Sequence, residues 1–423
     1  MPRPISHIVK RRGKKPGDAA VEIPVAEDLA TVPGIPVRGK DAAYYSRMYP
    51  LEAQFVEKSA DREWEWSVWS DELTEFHKSH NERNRAFVDA AESSGDLEPT
   101  GTAEPGRDLT DEIRTRAMEL GADDVGFTKL DRKYVYASKK SWVKYQHAVC
   151  LVVEQDYEPT QRIASIEAEH AHFGAYEKIG ALGLELVDFI RALGYRGQIH
   201  SPSDESVVYI PMFVNAGLGQ LGANGQLLSP HFGSRCRLAI VTTDAPVTHD
   251  KPVDYGIHKF CQICQVCVRR CPARALVKDK VWWRGVHKNK IVYDRCRPVM
   301  ARYEGCGVCM KVCPIQRHGM KAVMEHYVAT GEILGKGTDD LERFTLSGQS
   351  FGVGELPELA SETFQFPHGP KDEWLFQQFK ERLQKEGIPP TDQLQRFAAA
   401  VKRVLDKGPL TRYDQVEPSS DIE

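Results

Sequence analysis

Residues 261–272 have the sequence CQICQVCVRRCP, and residues 306–314 have the sequence CGVCMKVCP. The first segment has the spacing C-x2-C-x2-C-x3-C-P, which is typical of bacterial ferredoxins that bind two [4Fe–4S] clusters. The second segment repeats the last three cysteines of that pattern. Cys296, ten positions before Cys306, is a candidate for the remaining ligand. Eight of the ten cysteines lie between residues 261 and 313, and such clustering in a large chain favours metal binding over disulfides.

In two-cluster ferredoxins three closely spaced cysteines bind one cluster and the fourth binds the other. The spacing therefore predicts two sets of ligands. The first set is Cys261, Cys264, Cys267 and Cys313, and the second set is Cys271, Cys296, Cys306 and Cys309. Thiolates are soft anionic donors that suit iron. Two zinc sites are the alternative, because CxxC pairs also bind zinc, but the nearly duplicated spacing followed by proline favours clusters. Only ligand counting assigns Cys296.

The bulk composition is that of a globular protein. The chain has 423 residues, a net charge of −4 and 41% hydrophobic residues, which suits two or three domains and disfavours a broad nucleic-acid-binding face. No run reaches the roughly 20 apolar residues that span a bilayer. Basic residues near the N-terminus (Lys10, Arg11, Arg12, Lys14 and Lys15) precede no apolar run. We therefore expect no export signal, no integral membrane segment and a cytoplasmic protein.

The sequence pattern divides the chain into four regions. We expect an N-terminal arm and helical extension (1–107), an α/β core of the α+β type (108–248), a cysteine-rich domain (249–318) and a C-terminal extension that packs on the core (319–423). Residues 1–40 are rich in proline, glycine and charge, which predicts a flexible or draped arm.

Periodicity predicts the elements within these regions. Helices are expected at 71–91, 111–120, 320–329 and 373–386, with a long helical segment at 163–193 that breaks near Gly174. Strands are expected at 122–128, 147–153 and 237–243, and the apolar segment 207–215 is ambiguous. Cys150 and Cys236 lie outside the cysteine cluster and are expected to be small buried residues of strands.

A glycine-rich segment follows at residues 217–222 and matches GxGxxG. A dinucleotide-binding fingerprint should open a helix directly after a strand, but here Ala223-Asn224-Gly225 follows at once and puts another glycine where the helix should begin. One interpretation is a glycine-rich turn. The other is a loop whose missing side chains let the backbone approach a large flat cofactor, for which the candidate residues are Gly217, Gly219, Gly222, Asn224 and Gly225.

Three segments together resemble a known family. The first is Ala175-Tyr176 with the following helix to FIRALGY at 189–195. The second is NAGLGQLG at 215–222, continued by FGSR at 232–235, and the third is the double cysteine motif. In this order they are similar to the corrinoid-dependent reductive dehalogenases, which share their core with the epoxyqueuosine reductases. The similarity covers residues 108–316.

The resemblance implies a nitroreductase-like corrinoid-binding core with an inserted ferredoxin-like domain that holds two [4Fe–4S] clusters. The corrinoid would be bound base-off, without a protein ligand to cobalt; consistently, the chain has no Asp-x-His-x-x-Gly motif. Electrons from an external donor such as ferredoxin or flavodoxin would pass through both clusters. The implied reaction is the reductive removal of halide from an organohalide.

The resemblance also implies catalytic residues. Tyr176 matches the tyrosine proton donor of the family, and Arg235 matches the nearby basic residue. A free tyrosine has a pKa near 10, and a neighbouring guanidinium stabilises the phenolate. Ser203 stands where several members place an asparagine that contacts the substrate, and it is a further candidate for the cofactor-binding site. His172 lies one helical turn before Tyr176 and shares its face, where it either lines the pocket or is solvated.

Two other functions remain open at this point. An epoxyqueuosine-reductase-like enzyme would act on tRNA, but those enzymes use an aspartate near the position of Ala175 and Tyr176, and the tail here shows no helical repeat. A plain electron-transfer protein of the ferredoxin type would have no substrate of its own. The sizeable α/β core argues against an electron-transfer protein, and corrinoid in the purified protein would distinguish a corrinoid enzyme from it.

Overall fold

The computed structural model describes residues 1–13, 17–36, 67–136, 139–200, 206–283, 286–364 and 387. The helix expected at 373–386 and the candidate Ser203 lie outside the described residues. The helices are α1 (Asp71–Ser93), α2 (Thr110–Glu119), α3 (Tyr157–Gln161), α4 (Ile166–Ala192), α5 (Tyr209–Asn215), α6 (Ile257–Cys264), α7 (Val266–Arg269), α8 (Tyr293–Arg302), α9 (Val308–Lys311), α10 (Pro314–His318), α11 (Met320–Thr330) and α12 (Asp339–Glu342). The strands are β1 (Ile5–Arg11), β2 (Val21–Ala26), β3 (Asp124–Lys129), β4 (His147–Glu154), β5 (Gly197–His200), β6 (Gln220–Leu221), β7 (Leu227–Leu228), β8 (Cys236–Thr243), β9 (Leu276–Trp283), β10 (Val286–Ile291), β11 (Phe344–Leu346) and β12 (Gln349–Phe351).

A four-stranded antiparallel sheet forms the centre of the core, with strand order β3-β4-β8-β5. Strand β4 shows why both faces are covered. Its alternate residues Val149 and Leu151 face one hydrophobic cluster, and Ala148 and Cys150 face another, and all four are fully buried. A strand that is apolar on both faces needs a layer on each side. The mixed α/β fold predicted from the sequence is confirmed.

Helices supply these two layers. On one face α4 packs Ile179, Leu182 and Leu186 against the sheet, together with Ile113 of α2. On the other face the short helix α5 contributes Phe213, so the ambiguous apolar segment is helical. The predicted break near Gly174 is wrong, because α4 runs unbroken from Ile166 to Ala192. A single glycine costs a helix only about 1 kcal/mol, which the packing of 27 residues outweighs.

The other elements of the core follow the sequence pattern closely. The expected helices at 71–91, 111–120 and 320–329 and the expected strands at 122–128, 147–153 and 237–243 are confirmed, with ends shifted by a few residues. Cys150 and Cys236 are buried in strands, as predicted. In the described part of the chain, no helix combines the length and the apolar character needed to cross a bilayer.

The N-terminal segment differs from the prediction, because it contains an antiparallel hairpin of β1 and β2 instead of a flexible or draped arm. Val25 and Leu29 are fully buried in a cluster with Phe260 of the cysteine-rich segment and Tyr327 of α11. Arg12 also lies 3.4 Å from Asp250. The apolar residues of β2 alternate over only six positions, and their partners are more than 200 residues away.

The cysteine-rich segment and the C-terminal elements share this cluster. Arg270 is nearly fully buried and donates to three backbone carbonyls, those of Glu342 (3.1 Å), Glu355 (2.6 Å) and Phe351 (3.1 Å). A buried guanidinium is stable only when its donors are satisfied. Arg270 therefore holds the β11–β12 hairpin against the cysteine-rich segment.

The glycine-rich segment forms the turns around the small β6–β7 hairpin and opens no helix. A Cβ atom added at any of these glycines would contact other atoms of the protein. A Cβ at Gly217 would lie 2.6 Å from the carbonyl oxygen of Lys251, and a Cβ at Gly219 would collide with the carbonyl oxygen of Leu228. Gly217 also has a positive φ of 72°, which side-chain-bearing residues rarely adopt. The structure therefore gives these glycines a packing role inside the chain.

Replacement of Gly219 by alanine tests that packing role. We expect Gly219→Ala to lower the free energy of unfolding by about 1–3 kcal/mol, because the new methyl overpacks against backbone. Gly174→Ala is the matched control: nothing lies within 4 Å of its Cβ position on α4, so helix propensity should raise stability by about 0.5–1 kcal/mol. Thermal denaturation of both variants without added cofactor measures the difference. An unchanged melting temperature for Gly219→Ala would contradict the packing role.

Candidate functional site

The two cysteine motifs adopt the same local backbone conformation. Gln265, directly after Cys264, has a φ of 55°, and Gly307, directly after Cys306, has a φ of 46°. Each left-handed residue is followed by a short helix that carries the next cysteine: α7 carries Cys267 and α9 carries Cys309. This duplication of geometry agrees with the duplicated sequence pattern.

The eight cysteines separate into two groups around two cavities. One cavity is lined by Cys261, Cys264, Cys267 and Cys313. The other is lined by Cys271, Cys296, Cys306 and Cys309. Each group contains one cysteine from the opposite motif, and these are the two sets expected from the spacing. Among the described residues, no three His, Cys, Asp or Glu side chains converge as the ligands of a single ion do; instead, each set of four thiols borders open space.

Three of the eight cysteines are buried and five are half-buried, and several of their sulfurs face hydrogen-bond donors. Burial raises the pKa of Cys296 and of Cys313 to about 12. Backbone N–H groups oppose this effect, for example those of Val266 at Cys264 and Val308 at Cys306, and the N–H of Ala275 lies 3.3 Å from the sulfur of Cys271. Four buried thiolates are stable only beside compensating positive charge. N–H donors to sulfur also tune the reduction potential of iron–sulfur clusters.

The second set opens into a larger cavity of about 550 Å³ that extends to α4 and α1. Its lining includes Tyr176 on α4, Asn224 and Gln226 from the glycine-rich segment, and Arg237 on β8. A cavity of this size is within the range of small-molecule sites. The arrangement places one wall of thiols and one wall of polar and aromatic side chains around the same space.

The cation beside Tyr176 is Arg237, two residues beyond the predicted Arg235. The guanidinium carbon of Arg237 lies 5.2 Å from the centre of the Tyr176 ring, and its Nη2 donates to Gln155 at 2.6 Å. Arg235 instead donates to Glu154 at 2.8 Å and lies over the ring of Tyr157. Tyr176 and Arg237 line the cavity, and Arg235 is not among its lining residues.

His172 extends the same wall. Its ring centre is 4.8 Å from that of Tyr176, and its Nδ1 lies 3.3 Å from a carboxylate oxygen of Glu169. Burial, and then the charge of Arg237, lower the pKa of His172. The imidazole is therefore neutral at pH 7. Of the two interpretations of His172, the structure supports the one in which it lines the pocket.

An aromatic wall, which the sequence analysis did not identify, completes the cavity. Trp69 and His77 lie on it with their ring centres 4.3 Å apart, and His77 meets Phe173 of α4 at 4.4 Å. Trp69 lies just before α1 and His77 lies on it, about a hundred residues before Phe173. No local motif marks these residues, although the tryptophan in a polar helical region is a usable signal.

The predicted cofactor-binding residues differ in whether they line the cavities. Asn224 lines both cavities, between the first and the second set of cysteines. Gly217, Gly219, Gly222 and Gly225 are not among the lining residues, and a Cβ at each would meet the chain itself. Ser203 lies outside the described residues.

No family model matches the chain, but curated proteins do. A tetrachloroethene reductive dehalogenase of Desulfitobacterium hafniense is 33% identical over 145 residues, which cover 33% of this chain and 26% of the relative. A tetrachloroethene reductive dehalogenase of Sulfurospirillum multivorans is 28% identical over 268 residues, covering 52% of this chain and 53% of the relative. An epoxyqueuosine reductase of Lactococcus garvieae is 32% identical over 123 residues, covering 26% of this chain and 33% of the relative.

Solved structures agree. A reductive dehalogenase described as B12-dependent superposes with a TM-score of 0.54 at 25% identity, over 65% of this chain and 45% of that one. A catabolic reductive dehalogenase in complex with 3-bromo-4-hydroxybenzoic acid gives a TM-score of 0.53 at 24% identity, with the same coverage. The resemblance stated from the sequence is confirmed. The matches span between about a quarter and about a half of the length of the relatives.

Paired substitutions test the two sets of cysteines. After anaerobic reconstitution we expect Cys264→Ala and Cys313→Ala each to lower the iron content from about eight to about four per chain. The double variant Cys264→Ala/Cys313→Ala should also retain about four, because both residues belong to the first set. Cys264→Ala/Cys296→Ala should lose nearly all iron, because each set is broken once.

Cys150→Ala is the matched control and should keep about eight irons, since Cys150 is buried in the core sheet. Iron and sulfide analysis after gel filtration gives the counts. Iron near four in the Cys264→Ala/Cys296→Ala variant would mean that the two sets are assigned wrongly.

Proposed function

We propose that the chain is a corrinoid- and iron–sulfur-dependent reductive dehalogenase, an oxidoreductase that removes halide from an organohalide. One observation carries the proposal: the second set of cysteines, Tyr176 and Arg237 line the same cavity. This brings a group suited to electron delivery next to a group suited to proton delivery. The similarity to reductive dehalogenases supports it.

The eight cysteines are proposed to hold two [4Fe–4S] clusters in a ferredoxin-like domain inserted into a nitroreductase-like core. The first set would be Cys261, Cys264, Cys267 and Cys313, and the second set would be Cys271, Cys296, Cys306 and Cys309. The space between each set of thiols and the N–H donors at their sulfurs fit a multi-atom cluster with negative charge. Two zinc ions would need tighter tetrahedral groups.

The cavity between the second set and α4 is proposed to bind the corrinoid, base-off. A bound corrinoid would supply a strongly reducing centre for cleaving the carbon–halogen bond. Asn224, Gln226 and Arg237 line that space with amide and guanidinium groups, which suit the amide side chains of a corrin ring. Among the described residues Arg237 Nε is buried without a hydrogen-bond partner, so a donor is left over for a ligand.

Tyr176 is proposed to be the proton donor and Arg237 its partner. The tyrosine O–H donates its proton to the carbon that loses the halide, and the phenolate that remains is stabilised by the guanidinium beside it. His172 stays neutral at this wall, so the positive charge there belongs to Arg237. In this proposal Arg237 takes the role that the sequence analysis assigned to Arg235.

The substrate is proposed to be a small organohalide, with a halogenated aromatic ring as the class that fits best. Trp69, His77 and Phe173 give the cavity rings against which a planar substrate can stack. One structural neighbour was solved with a brominated hydroxybenzoic acid. The electrons are proposed to come from an external one-electron donor of the ferredoxin or flavodoxin type.

Reconstitution tests the proposed function. The chain should bind about eight irons and one corrinoid after anaerobic incubation with iron, sulfide and hydroxocobalamin, and its EPR spectrum should show base-off cobalt(II) without nitrogen hyperfine splitting from the protein. Reduction with titanium(III) citrate should then release bromide from a bromophenol. Eight irons without bound cobalt would contradict the proposal and favour an electron-transfer protein.

Substitutions at the proposed donor test its role. Tyr176→Phe should lower the rate of halide release by a factor on the order of 10²–10⁴ with iron and cobalt content unchanged. Tyr157→Phe is a matched control, because Tyr157 contacts Arg235 and Arg317 and does not line the cavity. Halide release measured under single turnover separates this loss from slow reduction. Halide release by Tyr176→Phe at the wild-type rate would show that Tyr176 is not the proton donor.

The two arginines are compared in the same assay. Arg237→Gln should lower halide release by about 10- to 100-fold, because the phenolate loses its cation, whereas Arg235→Gln should change it by less than about threefold. Melting temperatures of both variants correct for the loss of the Arg235–Glu154 ion pair. If Arg235→Gln lowered halide release more than Arg237→Gln at equal stability, Arg235 and not Arg237 would be the partner of Tyr176.

A further inference from the structure

Helix α6 carries two cysteines of the first set and exposes the residues between them. Its buried face holds Ile257, Phe260 and Cys264, which pack into the core cluster. The opposite face holds Gln262 and Ile263, both exposed, and the large apolar side chain of Ile263 is 42% exposed. The helix that carries Cys261 and Cys264 therefore reaches the protein surface.

Two lysines lie beside this exposed isoleucine, and a third lies near the start of the helix. Lys336 is exposed and donates from its ammonium group to the carbonyl oxygen of Ile263 at 3.2 Å. Lys259 lies four residues before Ile263, one turn away on the same face. Lys280 donates to the carbonyl oxygen of His258 at 2.6 Å, near the start of the helix. We call Lys259, Gln262, Ile263 and Lys336 the α6 face.

The acidic residues that follow Lys336 at the start of α12 are engaged elsewhere: Asp339 pairs with Arg343, and Asp340 pairs with Arg317. The face thus has a basic rim around an apolar centre on a chain whose net charge is −4.

We propose that the α6 face is the docking site of the electron donor, and that this donor is a small one-electron carrier protein with an acidic surface. The inference rests on the proposed function, because it needs the first set of cysteines to hold a cluster. An apolar centre with a charged rim is the usual composition of a transient protein interface. In the step itself the donor loses one electron and the cluster of the first set gains it; no bond forms or breaks.

The placement of the second set explains why the first set receives the electron. The second set lines the 550 Å³ cavity together with Tyr176, and a folded protein is too large to enter a space of that volume. The first set lies behind the α6 face. Among the described residues, those that line the cavity of the first set include none from α4. Electron entry and substrate entry therefore use different sides of the cysteine-rich segment.

Rapid mixing of the reconstituted enzyme with an acidic [2Fe–2S] ferredoxin, reduced beforehand, tests the proposal. The readout is the loss of the ferredoxin's EPR signal in freeze-quenched samples at liquid-nitrogen temperature, where signals of [4Fe–4S] clusters relax too fast to be seen; it does not depend on corrinoid or halide release. We expect Lys336→Glu to lower the second-order rate constant about tenfold at 20 mM salt and less than about twofold at 500 mM salt, because salt screens the charge. Ile263→Asp should lower it about tenfold at both salt concentrations.

Lys129→Glu is the matched control, since Lys129 is an exposed lysine at the end of β3 in the core sheet; its rate constant should stay within about twofold of the wild type. Titanium(III) citrate, which needs no docking site, should reduce all variants to the same extent and so shows that their clusters are intact. Equal ferredoxin rates for the wild type, Lys336→Glu and Ile263→Asp would overturn the proposal.

A wild-type rate that does not fall with salt would overturn the acidic partner in particular. Failure of the proposed function gives a different result: iron is present and ferredoxin reduces it with the expected dependence on Lys336, but no cobalt binds. The two ideas are therefore tested separately by one preparation.

Discussion

The exchange of one cysteine between the two motifs constrains the rest of the structure. Cys313 from the second motif joins the first set, and Cys271 from the first motif joins the second set. The two motifs must therefore lie against each other, although 34 residues lie between Cys271 and Cys306. The hydrophobic cluster around Phe260, Val308 and Ile315 and the buried guanidinium of Arg270 hold them in this position. The N-terminal hairpin and α11 complete the same cluster, so elements from both ends of the described chain support the cysteines.

The core sheet places the opposite wall of the cavity. Helix α4 buries Ala175 and Ile179 against the sheet, which directs the next residue after Ala175, Tyr176, toward the cavity. Arg237 comes to the same point from β8, where it pairs with Val153 of β4. A helix and a strand that are both fixed by a fully buried sheet hold their side chains more exactly than loops do. The tyrosine and the arginine are thus held in place by packing within the protein itself.

Local patterns in the sequence predicted those features that depend on near neighbours. The cysteine spacing, the strand β4 with its apolar run and the helices of the core are of this kind. The hairpin β1–β2 was missed because its partners Phe260 and Tyr327 lie far along the chain. Arg235 was proposed from the family resemblance, by its place in the Gly-Ser-Arg segment, and a resemblance of that kind does not show which cation lies beside Tyr176 in this chain. In the structure Arg235 pairs with Glu154 at 2.8 Å, a contact across 81 residues, whereas Arg237 lies beside the ring of Tyr176.

The order of the two cysteine sets gives the proposed function a direction. The first set lies behind an exposed helix with lysines around it, and the second set borders the cavity with Tyr176. A large protein donor and a small substrate make opposite demands, since one needs an open surface and the other needs a space from which water is excluded. A single cluster would have to meet both demands at one place. In the proposed function, two sets joined through shared motifs would let the surface face the donor and the cavity face the substrate, and this separation would account for eight cysteines where four would hold one cluster.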